Sequence, residues 1–322
     1  MQRIRLLDAW LRAGATAIGI SILTLVILTG CSDPTEPTDA RRSSEDPDAP
    51  LSVYVANYPL GYFAERIGGA QVRVGFPVPA GIDPAFWKPT PEEVAAYQSA
   101  DIILLNGASY SSWVSHSSLP LFRTVDTSAP FRNQYIPVKE QGSHTHGPDG
   151  EHEHAKVAST TWLDPTRAIA QAAAIRDALI SQRPGEADIF NQGFEALAAD
   201  LKDLDDNLAA AFGSVGAQPL IFSHPVYQYL ARRYEIDGKS LHWEPDQRPS
   251  PEQWQELDEL LGGYPARWMI WEADPDSSTV EELKGRDLGS LTFDPCANVP
   301  ADGDYLSVMR ENARRVLEAF SR

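Results

Sequence analysis

Apolar and polar positions along most of this chain fall into short blocks whose period switches between two residues and three to four. Residues 51–56 (Leu-Ser-Val-Tyr-Val-Ala) put Val53 and Val55 on one face, the alternation of a strand. Residues 59–67 carry a helical pattern that Gly68-Gly69 stops. A second strand is predicted over 72–78. A helix follows over 91–98, with Thr90 as its cap and Pro91 at the first helical position. The continuous apolar run of 101–106 (Asp-Ile-Ile-Leu-Leu-Asn) suits a strand buried on both faces in a parallel sheet. Helices are predicted over 165–180 and 186–212. The second is Ala- and Leu-rich, free of proline and well above the usual helix length. The alternation then resumes: strand 219–223, helices 226–234 and 251–261, strand 268–271, helix 279–284, strand 290–293 and a closing helix 305–320.

Strands that alternate with helices build parallel sheets. The expected fold class is therefore α/β, with two Rossmann-like α/β lobes joined by one long rigid helix. The expected boundaries are an N-terminal lobe over 51–184, a linking helix over 185–213 and a C-terminal lobe over 214–322. Inside the first lobe, residues 140–158 (EQGSHTHGPDGEHEHAKVA) break the pattern with a polar loop that carries four histidines.

The first fifty residues follow other rules. Arg3, Arg5 and Arg12 precede an uncharged apolar run from Ala13 to Leu28, which ends in Leu28-Thr29-Gly30-Cys31. A basic head, a short apolar run and small residues at a cleavage site are the parts of a secretory signal. The run is short for a spanning helix, which needs about 20 apolar residues. Leu at −3, Gly at −1 and Cys at +1 match the bacterial lipobox, so residues 1–30 read as a lipoprotein signal peptide and Cys31 as the lipidated residue. Residues 31–50 are acidic, Pro- and Ser-rich and without apolar period, the composition of a disordered tether. The chain is thus expected to be exported and lipid-anchored, facing the periplasm or the cell exterior. Ser32, in place of an aspartate, resembles an outer-membrane sorting signal and leaves the choice of membrane open.

Charge narrows the function classes. The chain has 27 Lys+Arg against 45 Asp+Glu, a formal charge of −18. Residues 1–30 take three arginines and one aspartate with them, so the mature chain carries 24 basic and 44 acidic residues, a charge of −20. Nucleic-acid binding wants a basic patch and is excluded as the reading. With Cys31 lipidated, Cys296 is the one remaining cysteine. No internal disulfide is then available, and burial of the 43% hydrophobic content must hold the core. There is no His-Glu-x-x-His, Gly-x-Ser-x-Gly or P-loop pattern, so an enzyme is not expected.

Several segments, in order, resemble one family, the substrate-binding lipoproteins of zinc- and manganese-type ABC importers. They are Asn57-Tyr-Pro-Leu-Gly-Tyr-Phe-Ala-Glu-Arg-Ile-Gly-Gly, Gly81-Ile-Asp-Pro-Ala-Phe-Trp-Lys-Pro-Thr-Pro, Ala100-Asp-Ile-Ile-Leu-Leu-Asn-Gly, the His-rich insertion, Trp162-Leu-Asp-Pro, Phe222-Ser-His-Pro-Val-Tyr-Gln-Tyr-Leu-Ala-Arg-Arg-Tyr, and Phe293-Asp-Pro with Gly303-Asp-Tyr. The resemblance implies two lobes bridged by a rigid helix, a metal-binding cleft between them, and coordination by three histidines and a carboxylate from separate loops. Carried over residue by residue, the third histidine is His224 and the carboxylate is Asp294. Ala85 and Thr160 stand where the first two histidines are expected.

Two ligands are too few for a tight zinc site, which takes about four, or three and a water. His242, Glu272 and Cys296 are weaker candidates to complete the set. Glu272 lies at the end of the 268–271 strand, where α/β sheets place ligands, and Cys296 lies two residues past Asp294. His144, His146, His152 and His154 pair as His-x-His twice in an acidic loop, a composition suited to accessory capture of Zn²⁺. Trp87 and Trp162 flank the two lost ligand positions, and Trp243 and Trp271 lie near the surviving ones. This raises the second possibility of an aromatic-walled cleft for an organic solute or a metal chelate.

The expected function is thus a monomeric solute-binding lipoprotein. It captures a divalent metal ion, zinc first and manganese or another as alternatives, and hands it to an ABC permease. The alternative is a degenerate member that receives a non-metal or metal-chelate solute, or acts as a surface adhesin.

Overall fold

The computed structural model describes residues 49–138 and 157–321. The expected signal peptide and tether, Cys31, and the histidines at 144, 146, 152 and 154 lie outside the described residues. The described residues cluster as one unit.

Two four-stranded sheets organise that unit. In the first, β1 (Leu51–Val55), β2 (Val72–Gly75), β3 (Ile102–Leu105) and β4 (Thr124–Asp126) lie in the order β2-β1-β3-β4. In the second, β5 (Leu220–Phe222), β6 (Gly238–Ser240), β7 (Trp268–Trp271) and β8 (Gly289–Thr292) lie in the order β6-β5-β7-β8. Every pairing is parallel. The two lobes thus repeat one topology, and the α/β reading with two lobes is what the structure has.

Helices α1 (Tyr58–Gly68), α2 (Pro91–Ser99) and α3 (Pro165–Gln182) serve the first lobe. Helices α5 (Gln228–Arg233), α6 (Pro251–Gly263) and α7 (Ser277–Lys284) serve the second. Helix α4 (Ala187–Val215, 29 residues) joins them, and α8 (Tyr305–Phe320) packs back on it. The predicted cap of α2 is present as a full capping box: Thr90 Oγ1 accepts from Glu93 N, and Glu93 accepts from Thr90 N. Helix α6 repeats the device with Ser250 and Gln253. Two expected elements come out shorter: β2 ends at Gly75, and α5 covers only Gln228–Arg233. Two edge strands, β4 and β6, were not expected at all. Residues 237–240 (Asp-Gly-Lys-Ser) carry a turn signal and no apolar period, and β6 is exposed throughout.

The largest core cluster runs through both lobes by way of α4, whose Leu197, Leu201, Leu204 and Leu208 are buried at helical spacing. Its approach to α1 depends on Gly193. A Cβ at that position would lie 2.4 Å from the Ile67 carbonyl oxygen and 2.8 Å from its Cα, both backbone atoms that cannot swing aside. Alanine normally stabilises a helix interior over glycine by about 1 kcal/mol. Here the clash reverses the sign. Gly193→Ala is expected to lower the thermal midpoint, and a calorimetric scan showing an increase would refute this account of the helix crossing.

Candidate metal centre

A parallel sheet gathers the carboxyl ends of its strands on one edge, and ligands sit where the chain reverses the direction of strand addition. In the second sheet that point lies between β5 and β7. His224 stands two residues past β5 and Glu272 one past β7, while Glu244 is four past β6 and Asp294 two past β8. Ladder bonding continues beyond the strands. Ser223 N donates to Ile270 O, Trp243 N to Ser223 O and Phe293 N to Trp271 O, each at 2.8 Å. The loops therefore leave the sheet at fixed spacing.

Alternation along these extensions then aims the side chains. Trp243 and Trp271 are 1% and 0% exposed and pack against each other at 6.1 Å between ring centroids, while the residue after each, Glu244 and Glu272, is turned out of the core. His224, Glu244 and Glu272 each offer a ligand atom, and these atoms lie within 4.8 Å of one another. His224 Nδ1 is 3.8 Å from Glu244 Oε1. Donors sharing one tetrahedral or trigonal zinc-sized ion at about 2.0–2.2 Å lie roughly 3.3–3.8 Å apart, so the His224–Glu244 pair is already near that spacing and the group contracts by up to about 1 Å to seat an ion. The His242 ring stands edge-on to that of His224, with centroids 5.7 Å apart and an interplanar angle of 81°.

The first lobe faces this trio with a carboxylate. Asp83, on the loop after β2, accepts from Ala85 N (2.8 Å) and Tyr110 Oη (3.4 Å). Tyr110 is delivered by a strained turn at the end of β3, where Gly107, Ala108 and Ser109 have φ of 76°, 50° and 57° in succession. A Cβ on Gly107 would fall 2.0 Å from both Asp126 Oδ1 and Ser128 Oγ, so only glycine fits there. Tyr110 also meets Trp162 edge-to-face at 5.1 Å.

Charges in this cleft raise one another. Burial, then the negative charges of Asp83, Glu244 and Asp294, push the Glu272 carboxyl up to about 8. Crowding by protein, together with the Glu244 charge, raises Asp83, although its hydrogen bonds oppose the shift and its side chain keeps solvent access. Burial raises Asp294 as well. A cation bound among these groups would offset that crowding of negative charge. One imidazole and two carboxylates with a third carboxylate opposite are a donor set suited to a divalent cation.

The other positions singled out in the sequence fall as follows. Thr160 is 7% exposed, and its hydroxyl donates to the Val226 carbonyl of the other lobe. Ala85 carries no donor beyond its backbone. The cleft is bridged again by Trp162 Nε1 to Pro295 O (2.8 Å), Tyr58 N to Ala297 O (3.0 Å), and Asn298 Nδ2 to Pro79 O (2.7 Å) and Ile82 O (2.8 Å). Asp294 stands outside the trio: its Oδ1 accepts from Cys296 N (2.7 Å), and it lines a separate open cavity of about 560 Å³ beside Asp274 and Arg315. Cys296 is 2% exposed and packed in the core, with burial pushing its thiol up.

Glu244 is the member that reading the sequence missed, because the strand it follows, β6, is exposed and carries no apolar period. The aromatic walls are corrected. Trp87, Trp162, Trp243 and Trp271 are all buried in core clusters, packed on other rings: Trp87 on Tyr97 and Trp113, Trp162 on Tyr110, and Trp243 on Trp271.

The comparisons agree with this architecture. A family model described as zinc-uptake complex component A, periplasmic (ZnuA), matches residues 53–319. The zinc-binding lipoprotein AdcA of Streptococcus pneumoniae is 25% identical over 281 residues, covering 83% of this chain and 55% of the relative. The chain thus spans about half the length of that relative. The manganese ABC transporter substrate-binding lipoprotein PsaA of Streptococcus pneumoniae is 24% identical over 321 residues, covering 96% of this chain and 99% of the relative. The crystal structure of Zn(II)-bound AdcA from Streptococcus pneumoniae superposes with a TM-score of 0.71 at 21% identity, over 85% of this chain and 58% of that one.

A pH prediction follows from Glu272. Its folded pKa of about 8 lies above the unfolded value near 4.5. Between those values the folded chain holds a proton that the unfolded chain has lost. The metal-free protein should therefore lose stability as pH rises from about 4.5 through about 8, and Glu272→Gln should flatten that slope. Thermal melts across this range, with slopes equal in parent and variant, would contradict the cleft electrostatics described here.

Proposed function

Because the chain belongs to the family of zinc-uptake complex component A (ZnuA) periplasmic proteins, we propose that it is an extracytoplasmic receptor that captures a divalent metal ion and delivers it to an ABC permease. The observation that carries the reading is the grouping of His224, Glu244 and Glu272 at the switch point of the second sheet. The ion is cargo, and no chemistry on it is part of the role. Zinc is the first expectation, since imidazole with carboxylate is a zinc donor set, and manganese the second, since three of the four facing groups are carboxylates.

In this reading the ion displaces the proton on Glu272, so binding releases protons and weakens as pH falls. His242, Asp294 and Cys296 stay outside the primary set, with Asp294 acting through its charge on Glu272. His144, His146, His152 and His154 gather ions loosely ahead of the cleft. Cys31 carries the lipid that holds the receptor at its membrane as a monomer. The interlobe bonds of Thr160, Trp162 and Asn298 support small adjustments around the ion in place of a wide hinge.

Calorimetric titration of the metal-stripped chain with Zn²⁺ and Mn²⁺ tests this. His224→Ala and Glu244→Gln should each weaken the tight phase by more than the 10–100-fold that outer-shell changes cost, while deletion of residues 140–158 should remove only a weak phase. If the deletion abolishes all binding tighter than micromolar, the cleft is not the site.

A further inference from the structure

Among the described residues one pair of adjacent large apolar side chains stands almost wholly in water: Leu121 is 87% exposed and Phe122 is 80% exposed. A single exposed leucine is ordinary, but a fixed pair is not. This pair is fixed. Arg123 N and Thr124 Oγ1 both donate to Pro120 O, at 3.0 and 2.9 Å, and Gln98 Nε2 donates to Ser118 O at 2.8 Å. The Arg123 guanidinium donates to Ala100 O at 3.0 Å and lies 5.2 Å from the Phe122 ring centroid. The tip is therefore tied to the body, and its two side chains are presented outward.

Its place in the fold says what it faces. In the first sheet Thr124 is in register with Ile103, and Ile103 with Tyr54. Residues 121–123, which lead into β4, thus lie on the edge where β1 begins at Leu51. The described chain enters on the same edge, where Ala49 O accepts from Arg183 just beyond α3. Asp83, Tyr110 and Thr160 all follow the opposite ends of these strands, so the cleft lies at the other edge. Seventeen residues lie between Cys31 and Ala49, and the eighteen steps that span them reach at most about 65 Å.

The geometry points to the Leu121–Phe122 tip as a membrane-contacting point, seated in the interface of the bilayer to which Cys31 is tied; this rests on the lipid anchor proposed above. Leucine and phenylalanine enter the boundary between headgroups and acyl chains, and Arg123 and the exposed Arg73 at the same edge meet anionic headgroups. The resting receptor then lies with its entry edge on the membrane and its cleft turned to solvent for loading. It must turn over, within the reach of the tether, to present the cleft to a permease.

The test uses the full acylated chain on vesicles of phosphatidylethanolamine and phosphatidylglycerol, with an environment-sensitive thiol fluorophore at Phe122→Cys or, as the control on the cleft rim, at Val299→Cys. The inference expects the label at 122 to shift to the blue on vesicle binding and to be quenched by spin-labelled lipids, while the label at 299 does neither. If the chain floats with the vesicles but the label at 122 remains aqueous, the inference is overturned and the anchor stands. If the acylated chain does not float, or floats no better than a Cys31→Ser chain, the anchor reading fails and this inference with it. Shielding of 122 only in vesicles that carry a permease would mark a protein contact and overturn it as well.

Discussion

Negative charge crowded into one cleft is the constraint around which this molecule is arranged. Burial and the charges of Asp83, Glu244 and Asp294 drive Glu272 to about 8, and Asp83 and Asp294 are raised as well. An apolar or hydrogen-bonded crevice would be more stable without a guest. The first lobe shows that alternative at its own switch point, between β1 and β3. There Asn57 and Asn106 close on each other at 3.3 Å, and Gln171 Nε2 reaches both Asn106 Oδ1 (3.1 Å) and Thr127 Oγ1 (2.9 Å). One copy of the topology is filled by neutral amides and hydroxyls. The other is left with charge that a cation would satisfy.

Holding such charges together takes a stiff frame. The ladder bonds past β5, β7 and β8 fix loop spacing, the buried Trp243 and Trp271 fix the side of the chain on which each glutamate emerges, and α4 with Gly193 against α1 fixes the lobes. Thr160 shows how the frame and the site trade places. At a position where the family resemblance implies an imidazole, a hydroxyl bonds the opposite lobe instead. Among the described residues the candidate donors accordingly come from the second lobe, with the Asp83 carboxylate facing them from the first.

Much of this was legible in the sequence because burial writes itself in period. The runs of β1, β3, β5 and β7, the Thr90 cap and the long helix were all readable, as was the place of His224 and Glu272 just past strand ends. Glu244 was not, because β6 is an exposed edge strand with no apolar signal, and without it the register that turns Trp243 in and Glu244 out is hidden. Asp294 follows its strand as the pattern demands, yet its carboxylate is engaged by the Cys296 backbone in a turn that spacing alone does not reveal. The four tryptophans looked like cleft walls in sequence because they lie near the ligand positions; alternation turns Trp243 and Trp271 away from the glutamates that follow them, and Trp87 and Trp162 pack into the first lobe's core clusters.

The most direct check on the central claim is anomalous diffraction at the zinc edge from crystals of the metal-loaded chain. The account predicts a peak about 2.0–2.2 Å from a nitrogen of His224 and from carboxylate oxygens of Glu244 and Glu272. A loaded crystal with its cleft peak instead in the cavity beside Asp294 and Asp274, or with no peak outside residues 140–158, would contradict it.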